Sequence, residues 1–138
     1  MSLEEAQSDV AAFHRATETP VLLEPQWPTD ERVDLRVSLV VEEVTKELLP
    51  AIARRDLVET ADAIIDSIYV LIGAGLEFGI PLPEIWNAVQ RANLAKAPIG
   101  PDGVRRVVRR PDGKILKPEG WTPPDVREIL VRHGYREP

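Results

Sequence analysis

The chain has no cysteine, which excludes disulfides and any thiolate-held metal. It also lacks a long hydrophobic run. The longest, Ile68 to Leu76, falls well short of the roughly 20 residues that span a bilayer. Residues 1 to 20 carry neither the basic start nor the apolar core of a signal peptide. Basic residues are outnumbered, and a net charge of −6 argues against nucleic acid as the main partner. No long internal repeat and no low-complexity tail occurs. No Glu-x-x-His occurs either, which disfavours a di-iron carboxylate bundle. These absences set the expectation of a cytoplasmic protein with neither membrane nor nucleic acid among its partners. What is present suits one domain over residues 1–138: 43% hydrophobic and 29% charged residues, enough to bury a real but small core.

The pattern along the chain is helical. "SLEE" at Ser2 to Glu5 has capping-box spacing and opens a helix ending near Arg15. "TPVLLEPQWP", with three prolines, reads as an extended connection. Thr29 or Asp30 caps a second helix, with Val33, Val37, Val40, Val41, Val44 and Leu48 at helical spacing and Pro50 to end or kink it. Asp56 caps a third helix, which runs to about Phe78 and stops at Gly79. That helix is apolar on most sides, and Gly73 and Gly75 allow another backbone to approach. "PLPEIWNAVQRANLAK" gives a fourth helix, in which Trp86 reads as packing. Two "PDG" triplets follow; "VRRVVRR" and "KILK" around the second predict a short β-hairpin. "TPPDVREILVRHG" predicts a last short helix.

Carboxylates interrupt this pattern at regular steps. Glu43 and Glu47 share a face of the second helix; Glu59, Asp62 and Asp66 share a face of the third. A short link near Arg54 to Asp56 makes the two helices antiparallel neighbours, so the acids can face one another. Alone, Glu42, Glu43 and Glu47 fit an ordinary solvated face. Asp66 tips the reading, because it sits among Ala63, Ile64, Ile65, Ile68, Tyr69 and Val70 with no basic partner nearby in sequence. So many carboxylates in one small volume repel and raise one another's pKa values, and a bound cation relieves both effects. Oxygen-only donors favour a hard ion, Mg²⁺ or Mn²⁺.

With these residues in view, the chain resembles the MazG-like all-α nucleoside triphosphate pyrophosphohydrolases over roughly Phe13 to Arg127. That superfamily includes phosphoribosyl-ATP pyrophosphohydrolase and dimeric dUTPases. Its motif is E-E-x-x-E, a spacer, then E-x-x-D. Glu59-Thr-Ala-Asp62 matches the second half, and "ADAIIDSIYV" is similar to the family's metal helix, which adds Asp66. The first half departs: Glu42-Glu43-Val44-Thr45-Lys46-Glu47 has one residue too many. Alignment on Glu47 makes Glu43 the first ligand and leaves Glu42 out; alignment on Glu42 and Glu43 puts Lys46 where the last Glu belongs. The first is preferred, because it keeps "EL" at Glu47-Leu48. Ala63 stands where the family has an acid three before Asp66.

The resemblance implies an all-α, four-helix bundle completed by homodimerisation. It also implies hydrolysis between the α- and β-phosphates of a nucleoside triphosphate, most specifically dUTP. Mg²⁺ would be held by Glu43, Glu47, Glu59, Asp62 and Asp66, with Glu43 or Glu47 accepting the proton of the attacking water. Asn93 and Lys96 stand where the family contacts substrate. "PDGKILKPEGW" resembles the dUTPase branch and adds Lys114, Lys117 and Trp121. Trp27 reads as core, and His14 as a surface histidine. Two rivals are phosphoribosyl-ATP hydrolysis and a non-enzymatic helical adaptor with a structural metal.

Overall fold

The computed structural model describes all residues 1–138. Its regular structure is helical throughout. Helix α1 is Leu3–Ala16; α2 comprises Asp30–Val40, Val41–Leu48 and Leu49–Ala53 without a break; α3 is Leu57–Glu77, α4 is Leu82–Leu94 and α5 is Val126–Arg132. The caps follow their side chains. Ser2 and Glu5 close a capping box, Asp56 Oδ1 accepts from Glu59 N at 3.1 Å, and Asp125 Oδ1 accepts from Glu128 N at 3.0 Å. Gly79, at φ 66°, ends α3; a Cβ there would lie 2.1 Å from the Glu24 carbonyl oxygen, so only glycine fits.

Pro50 does not end α2. The helix widens over Val41–Leu48 into π-helical turns, in which Leu49 N bonds back five residues to Val44 O. An interior proline removes an amide donor and its ring meets the carbonyl four residues back. A looser turn just upstream relieves that crowding, and the helix continues to Ala53.

Helices α1, α2 and α3 pack together, with the π-helical segment lying along α3. Val10, Ile72 and Leu76 form the core, flanked by Leu3, Ala6, Ala11, Val21 and Leu82. The expected four-helix bundle is not closed within one chain. The path turns by 117° between α3 and α4, and α4 packs on α1 and α5 rather than along α2. Gly75 makes room for the Leu82 side chain at this corner, and Gly73 for the ends of Arg36 and His14. Neither glycine admits a second backbone from this chain, contrary to the sequence expectation.

The expected hairpin is likewise not formed as a ladder. Each PDG triplet turns the chain back on itself once, with single antiparallel bridges Ile99–Arg105 and Arg109–Ile115. Nearly all side chains here are exposed, so the two-stranded pairing has no second layer to bury a face against.

A buried ionic knot joins the first three helices. Glu77 is 0% exposed and accepts from Arg32 Nε at 2.7 Å, Arg32 Nη2 at 2.9 Å and the Arg36 Nε–H. Burial opposes ionisation of Glu77, but the hydrogen bonds from Arg32 and Arg36 overcome it and hold the carboxyl below its usual range. His14, expected at the surface, is only 2% exposed and joins this knot. Its Nδ1 faces the Pro20 carbonyl at 3.1 Å, and its Nε2 faces Arg36 Nη2 at 3.3 Å. A carbonyl only accepts and a guanidinium only donates, so Nδ1 carries the proton and Nε2 is the acceptor.

Candidate functional site

The π-helical segment and the N-terminal half of α3 enclose a cavity of about 210 Å³. Its lining is Glu42, Glu43, Glu47, Glu59, Asp62, Ala63 and Asp66. All five carboxylates expected as ligands therefore meet in one place. They also meet a sixth, Glu42, which the preferred alignment had left out. The widened helix supplies the reason. In an α-helix, residues four apart share a face; in a π-turn, residues five apart come into register. Glu42 and Glu47 are five apart, and Glu43 and Glu47 four apart, so both members of the pair flank Glu47. The surplus residue in the motif is absorbed by the wider turns, and the acidic face survives. A wide turn at this position was signalled by the six-residue spacing "EEVTKE" together with a proline four residues after Lys46.

The electrostatics match the crowding. Partial burial pushes the Glu43 carboxyl up, and Asp66, Glu42, Glu47 and Asp62 push it further in the same direction. No basic side chain lines the cavity. Ala63 completes the wall where the family motif carries an acid, which leaves that position without a donor.

Asp66 itself is not buried. It is exposed toward the cavity, and the isoleucines around it are open too: Ile65 is 61% and Ile68 46% exposed. The sequence argument for an acid enclosed by apolar side chains applies instead to Glu77, the acid that α3 does bury and that carries its own arginines.

The donor set fits a hard divalent cation in kind, since every polar group in the cavity is a carboxylate oxygen. The side chains are not drawn in to ligating positions: no group of three or more converges tightly enough to hold an ion.

A second cluster lies at the end of α4. Trp121 Nε1 donates to the Ala92 carbonyl at 2.7 Å. Lys96 Nζ lies 5.4 Å and Lys117 Nζ 4.8 Å from the Trp121 ring centroid, and Lys96 Nζ donates to Asn93 Oδ1 at 2.9 Å. Four of the five expected substrate contacts thus assemble. Lys114 does not join them and stays exposed.

The arginines of this segment are engaged locally. Arg105 Nη1 caps the Leu94 and Ala97 carbonyls, Arg106 pairs with Asp102, Arg109 Nη1 donates to the Gly113 carbonyl, and Arg110 pairs with Asp112.

The other two tryptophans depart from expectation. Trp27 is 70% and Trp86 59% exposed; Trp27 leans on Phe78 with ring centroids 5.4 Å apart, and Trp86 borders an open groove with Ile68 and Leu3. That groove, about 570 Å³, exceeds the acidic cavity but gathers no comparable set of titratable groups. No single helix is long and apolar enough to cross a membrane.

Against known families, the profile described as phosphoribosyl-ATP pyrophosphohydrolase matches residues 10–93. The match takes in the buried knot, the carboxylate cavity and most of α4, and stops just before Lys96 and well short of Trp121. No curated protein matches the chain.

Proposed function

Because the chain belongs to the phosphoribosyl-ATP pyrophosphohydrolase family, within the MazG-like all-α superfamily, we propose that it hydrolyses the α–β anhydride of phosphoribosyl-ATP, releasing pyrophosphate. The observation that carries this reading is the cavity in which six carboxylates from two adjacent helices face one another. Glu42, Glu43, Glu47, Asp62 and Asp66 would hold Mg²⁺, or Mn²⁺ in its place, with Glu59 at the margin. The ion would supply neutralisation of the phosphate charge and a more acidic water.

The chain's own part is to hold donors on two rigid helices and to take a proton. Glu43 or Glu47 accepts the proton of the attacking water. Lys96 and Lys117, with Asn93, meet the charge of the phosphates.

A second substrate reading, dUTP, is favoured by one feature. The segment from Leu94 onward lies outside the matched residues and carries "PDGKILKPEGW", which resembles the dUTPase branch. The family match gives phosphoribosyl-ATP precedence.

Assembly belongs to the same proposal. Only 14 of 138 residues are buried, while Ile64, Ile65, Ile68 and Leu71 on α3 and Trp86 on α4 lie open. A chain of this length with so small a core gains from a second copy across that face.

The test is a panel of phosphoribosyl-ATP, dUTP and the canonical nucleotides, assayed with Mg²⁺ and with EDTA and resolving pyrophosphate from orthophosphate. Pyrophosphate formed only with metal is expected. Full turnover in EDTA, or orthophosphate as primary product, would sink the mechanism; a preference for dUTP would select the second substrate.

A further inference from the structure

We propose that Trp121 is a positioning residue that holds Lys96 and Lys117 as a paired clamp for a polyphosphate, rather than a platform on which a nucleobase stacks. The proposal rests on the function given above and specifies how the segment outside the matched family region takes part.

The local fold aims the ring. Trp121 N bonds to the Pro118 carbonyl at 3.1 Å across a turn whose third residue, Gly120, has φ 77°. With Pro118 first and Glu119 second, a positive-φ glycine third is the chemistry of a type II turn, which "PEGW" spells out. The turn folds Trp121 back beside Lys117. Its indole N–H then reaches the Ala92 carbonyl at 2.7 Å, in the last turn of α4, where carbonyls lack intrahelical partners. The half-buried ring is thus tied at its edge to the helix that carries Asn93 and Lys96.

Both ammoniums lie close over that ring, at 5.4 Å and 4.8 Å from its centroid. The negative face of an indole attracts cations and offsets their mutual repulsion. A stacked base would compete with the ammoniums for the ring.

Neither lysine is spent on a carboxylate, since the chain's ion pairs involve arginines and His133 only. Arg106 and Arg110, which lie between them in sequence, are matched one-to-one with Asp102 and Asp112. Two ammoniums at one ring, neither paired with a carboxylate, suit a ligand with several adjacent negative oxygens, hence the phosphate chain of the substrate.

The test uses the full-length protein with Mg²⁺ at fixed salt and two probes, inorganic tripolyphosphate and the α,β-imido analogue of the nucleotide it turns over, titrated calorimetrically. Trp121→Leu is expected to weaken both by a similar factor, about tenfold, with Trp121→Phe recovering most of the loss because a π face remains. In a Lys96→Met/Lys117→Met background, Trp121→Leu should cost about twofold or less, because its effect passes through the lysines. Arg106→Ala serves as the charge-removal control and should change little.

The clamp is overturned if Trp121→Leu weakens the nucleotide and spares tripolyphosphate, which is the signature of base stacking. It is equally overturned if the tenfold loss persists without the lysines, which marks packing. A wild-type protein that turns over nucleotides yet ignores tripolyphosphate removes the clamp and leaves the function standing. One that ignores tripolyphosphate and hydrolyses no nucleotide removes both.

Discussion

Two kinds of carboxylate sit on α3, and their surroundings set them apart. Glu77 is buried with its counter-charges supplied, so it stabilises the fold; Asp66 faces a cavity with none. Asp66→Asn keeps the shape and removes the charge a metal needs. Turnover should fall by at least the roughly hundredfold that loss of a mere supporting group can cost at a metal site. The metal-free variant should melt no lower than wild type, because a repelling charge is gone. Added Mg²⁺ should raise the wild-type melting temperature but not that of the variant. Wild-type turnover at saturating Mg²⁺ would remove Asp66 from the ligand set. His14 gives a pH prediction of definite sign. Burial, aided by the Arg36 charge and opposed by the Pro20 carbonyl, lowers its pKa in the folded state. Below the ordinary histidine range, near pH 6.5, the unfolded chain takes up a proton that the folded chain refuses. Stability from this residue is therefore full above about pH 6.5 and lost as pH falls toward the lowered folded value. The melting temperature should drop as pH falls below about 6.5, and the imidazole nitrogen shifts of His14 in NMR should titrate at lower pH in the folded protein than in the unfolded chain. A His14 that titrates in the folded protein at or above the ordinary histidine range would contradict this.

At the scale of elements, α2 does the most with an irregularity. Its π-helical turns absorb one residue, keep Glu42, Glu43 and Glu47 on one face, and let Pro50 stand in a continuing helix. The upstream part carries Arg32 and Arg36 to Glu77; the downstream part leads into the link to α3. Deleting Thr45 turns "EEVTKE" into "EEVKE", the spacing an ordinary α-helix needs. The expected outcome is a folded protein that still gains stability from Mg²⁺, destabilised by no more than about the 3 kcal/mol an interior proline costs in an uninterrupted α-helix. If the segment were plain α-helix, the same deletion would rotate the upstream half by about 100° and carry Arg32 and Arg36 away from Glu77. The variant would then lose an intact buried ion pair, at about 3–5 kcal/mol, and unfold. Circular dichroism and a urea titration distinguish the two results.

The whole molecule leaves one apolar side open. The open isoleucines of α3 and exposed Trp86 explain why its apolar character exceeds what the three-residue core cluster uses. Ile65→Glu with Ile68→Glu places two charges on that face. Sedimentation should show a smaller species than wild type, and the melting temperature should fall, since the monomer then stands on its own small core. An unchanged sedimentation coefficient would overturn the proposal that a second copy covers this face.

How much of this the sequence alone determined differs between neighbouring residues. Caps and stops at Ser2, Asp56 and Gly79 were legible, because their hydrogen bonds and backbone angles are decided within a few residues. The facing of Glu43 and Glu47 toward Glu59, Asp62 and Asp66 was legible for the same reason: helical phase plus a short link leaves little choice. Tertiary structure alone decided what depends on partners distant in sequence. Glu77 and Arg32 are 45 residues apart, so nothing local announced the knot or drew His14 into it. Glu42 entered the cavity through a change of helical pitch that no α-helical reading contains. The 117° turn before α4 kept the fourth helix off α2 and left Trp86 open. Periodicity marks which face of a helix is apolar, because it follows from backbone geometry. What covers that face is settled by packing energy summed over the whole chain and any second copy.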